Sequence, residues 1–548
     1  MKNLKYICTA VGILFSLNGC DDWLDINTNP DAATSVSPEQ ILPVLTFYSS
    51  QINYDHAEYG IYLSQALTTG GKSQTGSYAY KSGWEFLTMN RHPQWRRHFY
   101  DIGVNVLELI KSAEKFESPN FTLIGRTIRL MSTHLTTDAF GDMPLSKAYT
   151  GVSPAYDTQE SIYQWMLQEA DALIAAYDDP NIVNYPGNVT ITEKMDRIYK
   201  GDLKKWKNFT IALKARILLR NLPNWNNNTA SCDAIISTVN NALDGWEEPR
   251  YYYPGGTGEA NCPWGKAQPS IGGWESRQNL LDKAIPSEFF YKDILGGKDK
   301  IDSFNGNADD PRVDRLMAPR VGPDNITKYR YLKNNIGMSV SYKESHYPDL
   351  YTSLYTQNDS YIPLMLTEEL LFMKAEALYW KGQKMDAYNV TKEAVEMNMD
   401  RLAPEDKTSA EYKRYQLYVK NYFTKASIVG KYLPESGFNI SHLMRQKYIV
   451  MMYQPEQWND MRRYCYSNST NNFTYDGTII YPTLRRPYNL YEAYWINSGK
   501  EEWLQRINYD PETEEKYNIE ELKRLGAYKN AEWLKKPMIW ANYNASHQ

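Results

Sequence analysis

From residue 44 to Tyr177 apolar positions recur mostly with a helical period. The clearest run opens at Asp157-Thr158-Gln159-Glu160, spaced like a capping box, and puts Ile162, Trp165, Met166, Ala170, Leu173 and Ile174 on one face. Asp202 predicts the cap of a second helix with Trp206, Phe209, Leu213 and Ile217 inward. It ends near Asn221-Leu222-Pro223, because the residue before a proline is pushed out of the helical region. Between about 224 and 361 the period lapses, and Gly, Pro, Asn and aromatic residues dominate. A loop-rich stretch this long is functional or disordered, and its tryptophans argue against disorder. Helical pattern returns at Leu366, where Ala375, Leu378, Gly382, Ala387 and Ala394 have the spacing of a tetratricopeptide helix pair. Small residues there let two helices approach closely, and Gly382 turns the chain. A further helix is predicted from about His442 to Tyr464. The tail from Pro482 is loop-like and aromatic-rich, with a short helix near Ile519–Leu525. The pattern predicts a mainly α protein.

The first residues follow a different logic. Lys2 and Lys5 precede an apolar run from Tyr6 to Leu17, too short to span a bilayer, which then meets Asn18, Gly19 and Cys20. This resembles a bacterial lipobox, with residues 1–19 removed as a signal peptide and Cys20 acylated. The other reading is an ordinary secretory signal with a chance cysteine. Acylation with two or more chains anchors a protein without crossing the membrane. Asp21-Asp22 after the cysteine resembles the acidic export signal of surface lipoproteins of the Bacteroidetes, which implies the extracellular face of the outer membrane. Residues 20–43, rich in Asn, Asp, Thr and Pro, read as an extended lead-in, and 44–548 as one helical domain.

Composition narrows the chemistry. The formal charge is −5, and loss of Lys2 and Lys5 with the signal makes it −7, which leaves no basic footprint for nucleic acid. Of 5 cysteines, Cys232, Cys262 and Cys465 remain beyond the signal and anchor, neither a disulfide framework nor a zinc pattern. Ala66 to Ser73 satisfies a relaxed phosphate-loop pattern, but helix-like sequence precedes it and no apolar helix follows, so nucleotide binding is not expected. No His-Glu-x-x-His, Gly-x-Ser-x-Gly or Cys-x-x-Cys occurs. Asp302–Asp310 lacks the spacing of a calcium loop and reads as a plain turn. No catalytic residue, metal or cofactor is predicted.

Tyrosine and tryptophan are the outliers, at 45 and 15 residues. Two loop clusters stand out: Tyr78, Tyr80, Trp84 and Phe86 with Lys81 and Glu85, and Tyr251–Tyr253 with Trp264 and Trp274. Rings in polar loops suit stacking on sugar C–H faces while amides and charges hold hydroxyls. The competing reading is that these rings anchor long loops to the helical body. The residues assigned to ligand binding are Tyr78, Tyr80, Trp84, Tyr252, Trp264 and Trp274.

Several stretches, in order, resemble the SusD/RagB family of nutrient-binding outer-membrane lipoproteins, in its second SusD-like branch. They are Cys20–Pro30, Thr137-Asp138-Ala139-Phe140-Gly141-Asp142-Met143-Pro144, Tyr156–Tyr163, Asp310-Pro311-Arg312, Ala375-Glu376-Ala377, Gln457–Arg463 and Arg506-Ile507-Asn508-Tyr509. The resemblance implies a tetratricopeptide-like helical superhelix with long loop-rich insertions, a SusC-like TonB-dependent barrel transporter as partner, and a non-enzymatic role in capturing glycan. Peptide capture is the alternative, and a glycoside hydrolase a remote one. It also implies that the motifs around Phe140, Arg312 and Trp458 are structural and that ligand residues differ between members.

Overall fold

The computed structural model describes residues 36–71, 79–89, 91–220, 222, 229–256, 258–267, 281, 283–321, 327–492, 494–495 and 501–541. Cys20, Tyr78 and Trp274, all assigned from sequence, lie outside the described residues, as does the side chain of Tyr80.

The molecule is mainly α-helical. Helix α1 (Pro38–Leu63) runs through the centre, buried on nearly all sides over its second half. Against it pack α2 (Asn105–Lys115) and α3 (Asn120–Phe140), and the layer continues outward with α4 (Gln159–Tyr177) on α3, α5 (Leu203–Leu219) on α4 and α6 (Thr229–Leu243) on α5. A π-helical stretch, Arg97–Val104, leads directly into α2. Local chemistry sets several starts. The Thr158 side chain accepts from the Ser161 amide ahead of α4, and Asp202 accepts from the amides of Lys204 and Lys205 ahead of α5. Ile162, Met166, Ala170 and Leu173 are buried in α4, and Trp206, Phe209, Leu213 and Ile217 in α5, as the spacing predicts.

The second helical group is α7 (Thr367–Trp380), α8 (Lys384–Leu402), α9 (Ala410–Thr424), α10 (Ile440–Val450) and α11 (Glu456–Arg463). Helices α7 and α8 form the expected hairpin, with Ala375, Ala387 and Ala394 buried and Gly382 at φ +88° in the turn. The single helix predicted from His442 to Tyr464 is instead α10 and α11. The turn between them places Tyr453 at φ 68°, and Pro455, which lacks an amide hydrogen, caps the second helix.

The block at 224–361 is loop-rich, with one correction: it opens with α6, whose Cys232, Ile235, Val239 and Ala242 form a buried helical face. Short antiparallel strand pairs close it on itself, and one ties it to the chain after α1. β1 (Leu67–Thr69) pairs with β3 (Ala284–Pro286), and β2 (Arg250–Tyr252) with β8 (Tyr361–Pro363). β4 (Gly297–Asp302) pairs with β5 (Gly306–Ala308), and β6 (Arg320–Val321) with β7 (Thr327–Lys328). Asp302 caps the β4–β5 turn by accepting from the Phe304 and Asn305 amides, and these bonds together with Lys298 hold its carboxyl at about 2.

Several charges buried inside this body are paired. Arg216 meets Glu369 through two bonds of 2.7 and 2.8 Å, and Arg220 meets Glu456 at 2.6 and 2.7 Å while also donating to Asp138 at 2.8 Å. Arg463 clamps Glu376 at 2.8 and 2.9 Å and Asp460 at 2.6 Å, with the Lys447 ammonium 2.9 Å from Asp460. Arg312 forks onto Asp310 and donates to Gln446 at 2.6 Å. Asp138, Asp310, Arg312, Glu376, Asp460 and Arg463 come from the sequence motifs, and most of these pairs join one helix to another.

Candidate functional site

Trp84 sits in a tight turn after the short helix Ala79–Gly83, at φ 57° and 1% exposed. Its ring lies 5.1 Å from Trp495 and 5.7 Å from Trp503, and Trp503 in turn stacks on Tyr466 at 4.5 Å. Trp495 donates its indole N–H to the Trp84 carbonyl at 3.1 Å. The ring assigned as a stacking platform is therefore enclosed. Trp264 is corrected in the same way. It is 2% exposed, wedged edge-on between Tyr54 at 4.8 Å and Tyr453 at 4.9 Å, and so fastens the loop block to α1 and to the α10–α11 turn. A long insertion with little regular structure must bury apolar surface of its own, and tryptophan buries the most per residue. Phe86 is also buried, and Lys81 is spent on an ion pair with Glu58.

Tyr252 keeps an open ring, 53% exposed on β2. Its neighbours are the Tyr361 ring at 5.4 Å and the Arg250 guanidinium, which donates to the Tyr252 hydroxyl at 3.4 Å. That sheet is separate from the residue-84 turn.

Above the enclosed tryptophans, three distant segments converge. Tyr491 donates its amide to the Gly83 carbonyl, and Tyr488 donates to that of Asn334. Asn335 and Asn489 exchange amide-to-carbonyl bonds of 2.5 and 2.6 Å. The Asn335 amide donates to Thr68 Oγ1 at 2.9 Å, and the Met338 amide to the Gly70 carbonyl at 2.8 Å, which ties the segment to β1. The result is a surface bearing exposed Tyr488, half-buried Tyr491 and Tyr494, and exposed Ile336 and Val340. Tyr491 and Tyr494 meet edge-on at 4.6 Å, and the Lys333 ammonium stands 5.6 Å from the Tyr488 ring centroid.

Polar groups complete the surface. Glu85 Oε2 has no hydrogen-bond partner, while Oε1 accepts from Thr88 at 3.3 Å. Burial pushes the Glu85 carboxyl up, against the pull of the Thr88 hydroxyl. Burial, then Tyr491 and Glu85, push the Tyr494 phenol up to about 12, so it stays a donor at neutral pH. Flat rings beside a phenol and an ammonium can hold a polyhydroxylated ring by stacking and hydrogen bonds. Among the described residues no group of three His, Cys, Asp or Glu side chains is arranged to hold a metal.

Sequence reasoning located the turn at residue 84 but missed Tyr488, Tyr491 and Tyr494. The repeat of Tyr every third residue in Tyr488-Asn489-Leu490-Tyr491-Glu492-Ala493-Tyr494 was the available signal.

A family model matches residues 35–483, and its description is starch-binding, associating with the outer membrane. The chain belongs to the SusD-like_2 family. Solved structures agree with this SusD-like assignment in fold. A SusD/RagB family protein from Bacteroides thetaiotaomicron VPI-5482 is 20% identical with a TM-score of 0.63, over 93% of this chain and 99% of that one. A SusD homologue from Parabacteroides distasonis ATCC 8503 is 19% identical with a TM-score of 0.62, over 93% and 98%. A chitin-binding protein is 17% identical with a TM-score of 0.61, over 91% and 99%. No curated protein matches the chain. Three residues of the motifs quoted for the SusD-like resemblance, Phe140, Arg312 and Trp458, are buried. Among the described residues no helix is long and apolar enough to cross a membrane.

Proposed function

We propose that this SusD-like protein is a cell-surface lipoprotein that captures oligosaccharide or polysaccharide on the Tyr488–Tyr491–Tyr494 surface and delivers it to a SusC-like TonB-dependent barrel. The match of residues 35–483 to a starch-binding, outer-membrane-associated family carries the reading. Exposed Tyr488 beside Lys333, with half-buried Tyr491 and Tyr494 next to it, supports it, and a chitin-binding protein of the same fold is consistent with a glycan ligand. Binding is non-covalent and requires no bond chemistry. Cys20 carries the lipid that keeps the body at the extracellular face of the outer membrane.

Affinity electrophoresis of the mature chain in gels containing starch, chitin derivatives, xylan or mannan tests the site. At least one polymer retards the wild type, and Tyr488→Ala lowers that affinity by roughly 1–3 kcal/mol, the scale of a single ring-stacking contact, with an unchanged melting temperature. Retention that survives both Tyr488→Ala and Tyr491→Ala in full rejects this surface as the site.

A further inference from the structure

Helix α9 and the turn after it depart from the charge of the rest of the chain. The formal charge of the whole is −5, yet from Tyr412 to Pro434 the sequence holds Lys413, Arg414, Lys420, Lys425 and Lys431 and no Asp or Glu. All of these cations are exposed. At 3.6 residues per turn, Lys413, Leu417, Lys420 and Thr424 fall on the side opposite buried Tyr415 and Tyr422. The β4–β5 turn packs beside them: Asn421 donates to the Phe304 carbonyl, and the Lys425 ammonium stands 4.3 Å from the Phe304 centroid. Leu417 and Phe304, 47% and 44% exposed, therefore lie among the cations.

The neighbouring acids are already engaged. Glu411 pairs with Arg315, and Asp302 with Lys298 at 3.0 Å. Asp309 is shared between Lys298 at 3.5 Å and Lys431 at 3.8 Å, and Asp314 accepts from Asn307 and the Tyr329 hydroxyl. Among the described residues no carboxylate forms an ion pair with Lys413, Arg414, Lys420 or Lys425. An uncompensated field of one sign repels itself and draws a partner of the other sign.

The pattern also selects that partner. A protein interface keeps charge out of its centre, where lysine is depleted, but here lysines are the centre. A helix lying in a membrane surface needs a broad apolar face, and the exposed side of α9 carries one apolar residue, Leu417. A linear anionic polysaccharide fits both features. Its acid groups recur along the polymer, as Lys413 and Lys420 do about 10.5 Å apart along the helix, and its C–H ring faces can rest on Phe304 and Leu417. We infer that the exposed side of α9 is a contact face for a polysaccharide bearing carboxylate or sulfate groups, built from none of the segments that form the tyrosine surface. The inference rests on the glycan reading above and adds a charge class to it.

Surface plasmon resonance of the mature chain over immobilised polygalacturonate, dextran sulfate and chondroitin sulfate, with dextran as the neutral control, tests it. The runs use about 10 mM and about 1 M NaCl, between which the Debye length falls from about 30 to about 3 Å. At least one anionic polymer is bound at low salt and released at high salt. Lys413→Glu combined with Lys420→Glu weakens that binding about tenfold or more, with an unchanged melting temperature. Lys420→Gln, expected to weaken it about threefold, is the milder variant should the double charge reversal melt early. Binding of none of the three polymers, binding matched by dextran, or binding that both variants leave intact overturns the inference. Capture of phosphatidylglycerol vesicles through these lysines in place of any polymer overturns it as well. If neutral polymers still retard the chain in a Tyr488-dependent way, only the α9 face has failed. If anionic polymers bind through Lys413 and Lys420 while no neutral polymer is retained, the α9 face stands and the tyrosine surface has failed.

Discussion

Trp84 shows how a residue's environment redirects its chemistry. The aromatic loop around it reads as a platform in sequence, yet the ring is enclosed by Trp495 and Trp503, which come from more than 400 positions further on. Trp84→Ala is therefore expected to destabilise the fold by about 3–5 kcal/mol, seen as a lower denaturation midpoint. Any loss of glycan binding would follow from that. Burial of this kind is not local information, so the turn was legible and the role of its ring was not. Histidine carries a second prediction. Burial lowers His56 and His98 to about 3, and His92 and His134 to about 4, so all are neutral in the folded state at pH 6. The unfolded chain, with histidines near 6.5, binds the extra protons. Their contribution to stability is complete above pH 6.5 and is lost as pH falls toward 4. Melting temperature should decline across that window by calorimetry, and His98→Gln should flatten the decline.

Helices were the most legible elements, because their signals are local. Thr158 and Asp202 announce α4 and α5 through their own side chains, and the small residues of α7 and α8 announce a close pair. The break between α10 and α11 was not read, since the run of apolar and aromatic residues continues across it and only Pro455 marks the change. Two element-scale outcomes follow. Gly382, at φ +88° with open space around its Cα, should lose about 1–2 kcal/mol on Gly382→Ala from backbone strain alone. Glu376 of α7 accepts from both Arg463 terminal nitrogens and from the Tyr464 hydroxyl at 2.7 Å. Burial opposes its charge, but Arg463 and Lys447 outweigh that and hold the carboxyl down at about 2. Glu376→Gln leaves Arg463 and Lys447 to share the single carboxylate of Asp460, one buried positive charge in excess, and a loss of about 3–5 kcal/mol is expected from urea denaturation.

At the scale of the whole molecule, the division into helical ends and an aromatic middle was readable, whereas the proposed binding surface was not, because it draws on β1, the 333–340 segment and the 488–494 run at once. The anchor is an expectation of the same scale. Cys20→Ala should release the protein from membranes into the soluble fraction with glycan affinity intact, assayed by fractionation and gel retardation, while growth on the bound glycan fails. One more feature concerns the order of events in time. The last described residues close the first helices: Ile507 donates its amide to the Ala139 carbonyl, Asp510 accepts from the His92 amide at 2.6 Å, and the Trp540 indole donates to Asp138 at 3.2 Å. The C-terminal end of helix α3 therefore lacks these closing partners until some 400 further residues have been made. A nascent chain built this way stays unfinished during synthesis, and contacts so distant in sequence slow the final search. Under the export route proposed above, such a chain stays threadable until its end is free.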